Sequence, residues 1–105
     1  MVMHVVVAEF PIKEGMMGEF CDFMKGPFGF DVTCGSKGCR TIKCYTKDNS
    51  MGLYEEWLTE EDHKAYLEMR SQPGHAGFEK GFGGIVEKFF AGPPSIKHFE
   101  LDESL

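Results

Sequence analysis

From Leu53 to Leu58 the side chains alternate at the period of a strand. Leu53, Glu55 and Trp57 fall on one face, and Tyr54, Glu56 and Leu58 on the other. Thr59 then supplies an N-cap oxygen, and Glu60, Glu61 and Asp62 put negative charge in a first helical turn, where the helix dipole favours it. Polar and aromatic groups on both strand faces suggest a wall shared between a core and a pocket. Met3 to Pro11 is a second β-branched run. Its faces, His4-Val6-Ala8-Phe10 and Met3-Val5-Val7-Glu9, are largely apolar on both sides, which predicts burial on both.

The remaining pattern fills in around these strands. Glu14 to about Lys25 is a helix with Met17, Phe20, Cys21 and Met24 as its apolar stripe, ended by Gly26-Pro27. Phe28 to Lys37, with Gly29 and Gly35 inside it and Gly38 just beyond, is expected to be a loop. Cys39 to Thr46 and Met51 to Leu58 form a hairpin across Lys47-Asp48-Asn49-Ser50. Glu60 to Arg70 is a helix broken by Gln72-Pro73-Gly74. Gly74 to Phe90 carries a helical stripe of Phe78, Phe82, Ile85 and Phe89, and Ser95 to Glu100 is the last strand. Asp102 to Leu105 reads as a tail.

The order β-α-β-β-α-(α)-β is the ferredoxin-like split βαβ arrangement. The fold class is therefore α+β, a four-stranded antiparallel sheet in one domain, residues 1–105, with its core over about 3–100. Helices on one face leave the other face needing cover, which predicts a homodimer. Composition narrows the function. A chain of 105 residues, 42% hydrophobic, can build one core, and its net charge of −6 without a Lys/Arg cluster argues against nucleic-acid partners. No apolar run approaches the length of a membrane span and no targeting signal is visible, so a cytoplasmic protein with reduced thiols is expected. The four cysteines at 21, 34, 39 and 44 have no metal-ligand spacing, and Cys39 and Cys44 are expected on opposite faces of one strand.

Tyr54-Glu55-Glu56-Trp57, the acidic helix start and His63-Lys64-Ala65-Tyr66-Leu67 resemble the antibiotic biosynthesis monooxygenase domain, of the dimeric ferredoxin-like α+β barrel superfamily. Val6 to Gly15 is similar to that family's first strand and the turn into its first helix, and Gly38 to Tyr45 to its Gly-Cys strand opening. The resemblance covers residues 4–100. It implies that the homodimer takes the form of a dimeric α/β barrel, with a pocket between the sheet and its helices, and a reaction that uses no metal, flavin or haem. Val7-Ala8-Glu9 stands where haem-degrading relatives carry an asparagine, which argues against that branch.

Under this resemblance the inward-facing positions are the candidates. His63, Tyr66, Met69 and Arg70 share broadly one helix face; His75 precedes the Phe78 and Phe82 stripe; Trp57 closes the strand between them. His63 and His75 are candidate acid/base groups, because imidazole exchanges a proton near neutral pH. Trp57, Tyr66, Met69, Arg70, Phe78 and Phe82 are candidate substrate-binding residues, set against the blander possibility that aromatic residues are only core. Arg70 is expected to pair with Glu68 or Glu79 if it does not meet a ligand. His4 and His98 lie on strands and rank lower. The glycines from Gly74 to Gly84 suggest a lid over the pocket.

Two functions follow. One is a cofactor-independent monooxygenase of the antibiotic biosynthesis or quinol type, acting on a small apolar aromatic substrate. The alternative is a non-catalytic homodimeric binding protein for a hydrophobic small molecule such as a fatty acid or polyketide, a role for which seven methionines and ten phenylalanines would suit the pocket. No metal site, no nucleic acid and no membrane enter either reading.

Overall fold

The computed structural model describes residues 2–105. Its elements are β1 (His4–Pro11), α1 (Met17–Lys25), α2 (Phe30–Cys34), β2 (Cys39–Lys47), β3 (Ser50–Trp57), α3 (Glu60–Ser71), α4 (Phe82–Phe89) and β4 (Ser95–Glu100). The sheet is antiparallel throughout in the order β2-β3-β1-β4, with β1 central. This is the expected α+β ferredoxin-like arrangement. Among the described residues no helix is long and apolar enough to cross a membrane.

Register sorts the side chains. On the helix-covered face, His4, Val6, Ala8 and Phe10 of β1 stand beside Trp57, Glu55, Leu53 and Met51 of β3. His98 and Ile96 of β4 flank Val6 and Ala8 on the same face. The core lies here: Ala8, Phe10, Met51 and Leu53 pack under Phe20 and Met24 of α1 and Ile85 and Phe89 of α4. Phe20 meets Phe10, Phe89 and Phe90, with ring centroids 5.0 to 6.3 Å apart. Burying one such ring stabilises the fold by about 1.5–3 kcal/mol. On the opposite face Val5, Val7, Tyr54 and Phe99 form an apolar strip, bordered by Lys43, Glu56 and Lys97. No helix covers it.

Four details depart from the sequence expectation. A bulge between Cys39 and Thr41 shifts the β2 register, so Cys39 pairs with Trp57 and Cys44 with Leu53. Both cysteines therefore point to the helix side, where strict alternation had put them on opposite faces. The expected loop at 28–37 contains the short helix α2, because Gly29 turns so tightly against the Met24 backbone that a Cβ there would overlap it. The helical stripe expected from Gly74 becomes a helix only at Phe82. Gly74, Gly77 and Gly81 take φ of 80°, 82° and 63°, values that reverse the chain in successive turns. Those turns are anchored by the fully buried Ala76 and by a hydrogen bond from Gly74 N to Phe78 O of 2.8 Å. Finally, α1 starts at Met17, three residues after Glu14.

Candidate functional site

A cavity of about 50 Å³ lies between the sheet and α1, α3 and α4. Val6, Ala8, Phe10, Phe20, Leu53 and Ile85 form its apolar walls. Leu67 of α3 and Ile96 of β4 also line it and are 37% and 39% exposed, so the mouth lies between these two elements. The volume suits a few waters, while a benzene-sized ring needs a void of roughly 150 Å³. A ring would enter by displacing the side chains at this mouth, Leu67 and Ile96.

The polar end of the cavity is made by Thr33, Glu55, His63, Tyr66 and Arg70. Arg70, 3% exposed, sits in the last turn of α3, with Tyr66 one turn earlier on the same helix face. Its Nε donates to Tyr66 Oη at 3.0 Å, and its Nη1 donates to the carbonyls of Phe28 at 2.6 Å and His75 at 3.4 Å. Tyr66 Oη also shares a 2.6 Å hydrogen bond with Thr33 Oγ1 of α2. No carboxylate stands within salt-bridge distance of Arg70 among the described residues, so the expected pairing with Glu68 or Glu79 is replaced by backbone carbonyls. The guanidinium ties α3 to the loop before α2 and to the turn after it.

Glu55, on the helix face of β3, accepts a 2.8 Å hydrogen bond from Trp57 Nε1. Burial pushes its carboxyl up; the Trp57 bond and the positive charge of Arg70 oppose that rise without cancelling it. Burial likewise pushes the Tyr66 phenol up, against the Arg70 charge. His63, in the first turns of α3, is 2% exposed and tilts against Trp57 and Tyr66 with centroids 5.3 and 6.3 Å away. Burial, then the imidazoles of His98 and His4, push it down to about 4. It is therefore neutral near pH 7, and its Nδ1 is buried without a hydrogen-bond partner.

Of the residues singled out in the sequence, His63, Tyr66, Arg70 and Phe82 reach the cavity wall. Trp57 is fully buried behind it, holding Glu55 and backing His63. Met69 is half-buried on another part of α3, and Phe78 packs on Phe23 at 5.6 Å, away from the cavity. His75 is exposed and contributes its carbonyl to Arg70. The 74–81 turns do not line the cavity, so they are not its lid.

Sequence reasoning missed Glu55 and Thr33 as cavity residues. Glu55 is visible in the sequence as an acid on the same strand face as Leu53 and Trp57. It also missed the company His63 keeps. His4 Nε2 and His98 Nδ1 lie 2.9 Å apart across the β1–β4 pair, and His63 meets both, tilted at 38° to His4 and edge-on at 65° to His98, with centroids 6.2 and 5.6 Å away. Positions 4, 63 and 98 give no local signal of this meeting.

The sequence matches no protein-family model and no curated protein. Solved structures do match the fold. A conserved protein of Methanosarcina mazei superposes with a TM-score of 0.74 at 17% identity, over 94% of this chain and 92% of that one. A Nitrosomonas europaea protein named as a candidate antibiotic biosynthesis monooxygenase gives 0.75 at 14% identity, over 96% and 91%. Another so named, from Caulobacter crescentus, gives 0.71 at 19%, over 97% and 92%. The chain thus has the fold of solved proteins named as antibiotic biosynthesis monooxygenases, and its cavity lies under the helices of that fold.

Proposed function

We propose that the protein is a homodimeric oxygenase that oxidises a small electron-rich aromatic, a phenol or quinol, with molecular oxygen and no bound cofactor. The observation that carries this reading is the composition of the cavity: hydrocarbon walls closed at one end by Glu55, Tyr66, Arg70 and His63. An apolar slot orients and desolvates a ring, and the polar end receives its hydroxyl. The deprotonated ring is itself the reductant. Phenol plus O2 gives quinone plus water: one oxygen atom enters the ring carbon, the other leaves as water, and all four electrons come from the substrate.

The chain's residues have three tasks in this scheme. Neutral His63 offers a nitrogen lone pair to the substrate hydroxyl proton. Arg70, held by Tyr66 Oη and the carbonyls of Phe28, Gly29 and His75, places positive charge near the oxygen that becomes anionic. The apolar walls exclude water from the carbanion. The homodimer covers the strip of Val5, Val7, Tyr54 and Phe99, sheet against sheet, in the manner of the dimeric barrel.

Oxygen uptake with a panel of quinols and naphthols tests the reading. Stoichiometric consumption that falls at least about tenfold in Leu67→Trp, which plugs the mouth, supports it. Uptake equal in Leu67→Trp and wild type, or none with any member, sinks it.

The engagement of Arg70 by carbonyls and of Glu55 by Trp57 favours a second reading, a carrier of a fatty acid or polyketide. Native mass spectrometry separates the two: a copurifying aliphatic adduct on a dimer supports carriage.

A further inference from the structure

We propose that His4, His63 and His98 form a binding site for a divalent first-row transition metal, with zinc as the representative ion. The inference does not rest on the oxygenase reading. The ligand nitrogens of the three residues lie within 4.8 Å of one another. They come from three elements: the start of β1, the first turns of α3, and the exposed edge strand β4. Such convergence from distant parts of the chain is how a fold builds a preorganised site.

The cluster is costly as a piece of core and sensible as a ligand set. Three imidazoles, with centroids 5.1 to 6.2 Å apart, make one hydrogen bond among them, between His4 Nε2 and His98 Nδ1. His63 Nδ1 is buried and bonded to nothing. Leucine or phenylalanine would fill this space without leaving a polar atom desolvated. A neutral imidazole presents a nitrogen lone pair that a metal ion can take.

The geometry needs little adjustment. Two nitrogens on one tetrahedral zinc, at bonds near 2.05 Å, stand about 3.3 Å apart. The His4–His98 pair at 2.9 Å would open by a few tenths of an ångström, and His63 would move inward. His98 is exposed, which gives an ion a path from solvent and leaves a coordination position for water. Nitrogen-only ligation suits zinc, copper, nickel or iron, and disfavours magnesium and calcium. His63 also lines the cavity, so a bound ion would stand at the cavity wall.

The test uses protein with no polyhistidine tag and with the exposed thiols removed as Cys34→Ser and Cys44→Ser. Titration calorimetry with zinc should give one ion per chain. Binding should weaken by about a hundredfold in His98→Ala, whose exposed edge position leaves the core intact. Cobalt(II) should give the visible bands of a tetrahedral site without sulfur-to-metal charge transfer. Thermal melting should rise with zinc in the parent and fall back with chelator, and not move in His98→Ala. No binding, affinity unchanged in His98→Ala, or a sulfur charge-transfer band would each overturn the proposal.

Discussion

Replacing Arg70 with methionine removes a guanidinium that joins three segments while keeping much of the side-chain volume. The bonds lost are those to Tyr66 Oη at 3.0 Å, Phe28 O at 2.6 Å and His75 O at 3.4 Å. A hydrogen bond to a charged group is worth about 1.5–3 kcal/mol net, so the two shorter ones amount to about 3–6 kcal/mol. Relief from burying a charge offsets part of this, while the stranded Phe28 carbonyl adds a cost, leaving a loss of about 3 kcal/mol. For a domain of this size that is a fall in Tm of about 12 °C or more. Arg70→Lys keeps the charge but cannot reach all of those acceptors from one nitrogen, so it should lie between methionine and wild type. Urea unfolding followed by the fluorescence of Trp57, the only tryptophan, measures both. A methionine variant within 1 kcal/mol of wild type at unchanged m-value would refute the claim that this clamp holds α2 and the 72–81 turns to α3.

Glu55 gives a pH prediction of definite sign. Its folded-state pKa is raised, so its contribution to stability is complete below the ordinary carboxylate range and is lost as pH rises through the folded value. Glu55→Gln should therefore gain on wild type as pH rises above the ordinary carboxylate range, and a constant gap in urea midpoints would contradict this. Gly81, at φ 63°, would bring a Cβ within 2.6 Å of Ser71 O, so Gly81→Ala should cost about 2 kcal/mol or more. Gly83 is exposed in α4, and a Cβ there would meet only Lys80 Cβ, at an ordinary contact distance of 3.9 Å, so Gly83→Ala should stabilise by about 0.5–1 kcal/mol. Thermal melts of the two variants should move in opposite directions. A phenylalanine at Tyr66 leaves Arg70 Nε and Thr33 Oγ1 without their shared partner, and should cost about 1–3 kcal/mol by the same urea assay.

Periodicity made most of the fold legible. Alternation gave β1 and β3, and Thr59 with its acidic followers marked the start of α3 within a residue: its side chain does accept from Asp62 N, at 3.1 Å. What alternation could not show was a bulge, because one inserted residue at Arg40 changes no composition and yet turns Cys44 over. Nor could a stripe of phenylalanines reveal that three glycines before it would adopt positive φ; the same residues fit a helix and a string of turns. For the site, helix spacing was enough to associate His63, Tyr66 and Arg70. The histidine cluster stayed hidden because it depends on β1–β4 pairing, a contact between residues more than 90 positions apart.

That long-range pairing has a consequence for how the chain is made. The earliest of these four strands in chain order is a central one, and its neighbours follow much later, β3 from Ser50–Trp57 and β4 from Ser95–Glu100. Until then an apolar, β-branched strand has both edges open, the state most prone to pairing with another chain. Local helices can form early, but the sheet closes only once β4 has emerged, and the loops to be closed make that step slow. Nascent-chain crowding should therefore penalise this protein more than a helical bundle of equal length. Slower translation after residue 57 would let β1 and β3 pair first and leave only one edge waiting for β4.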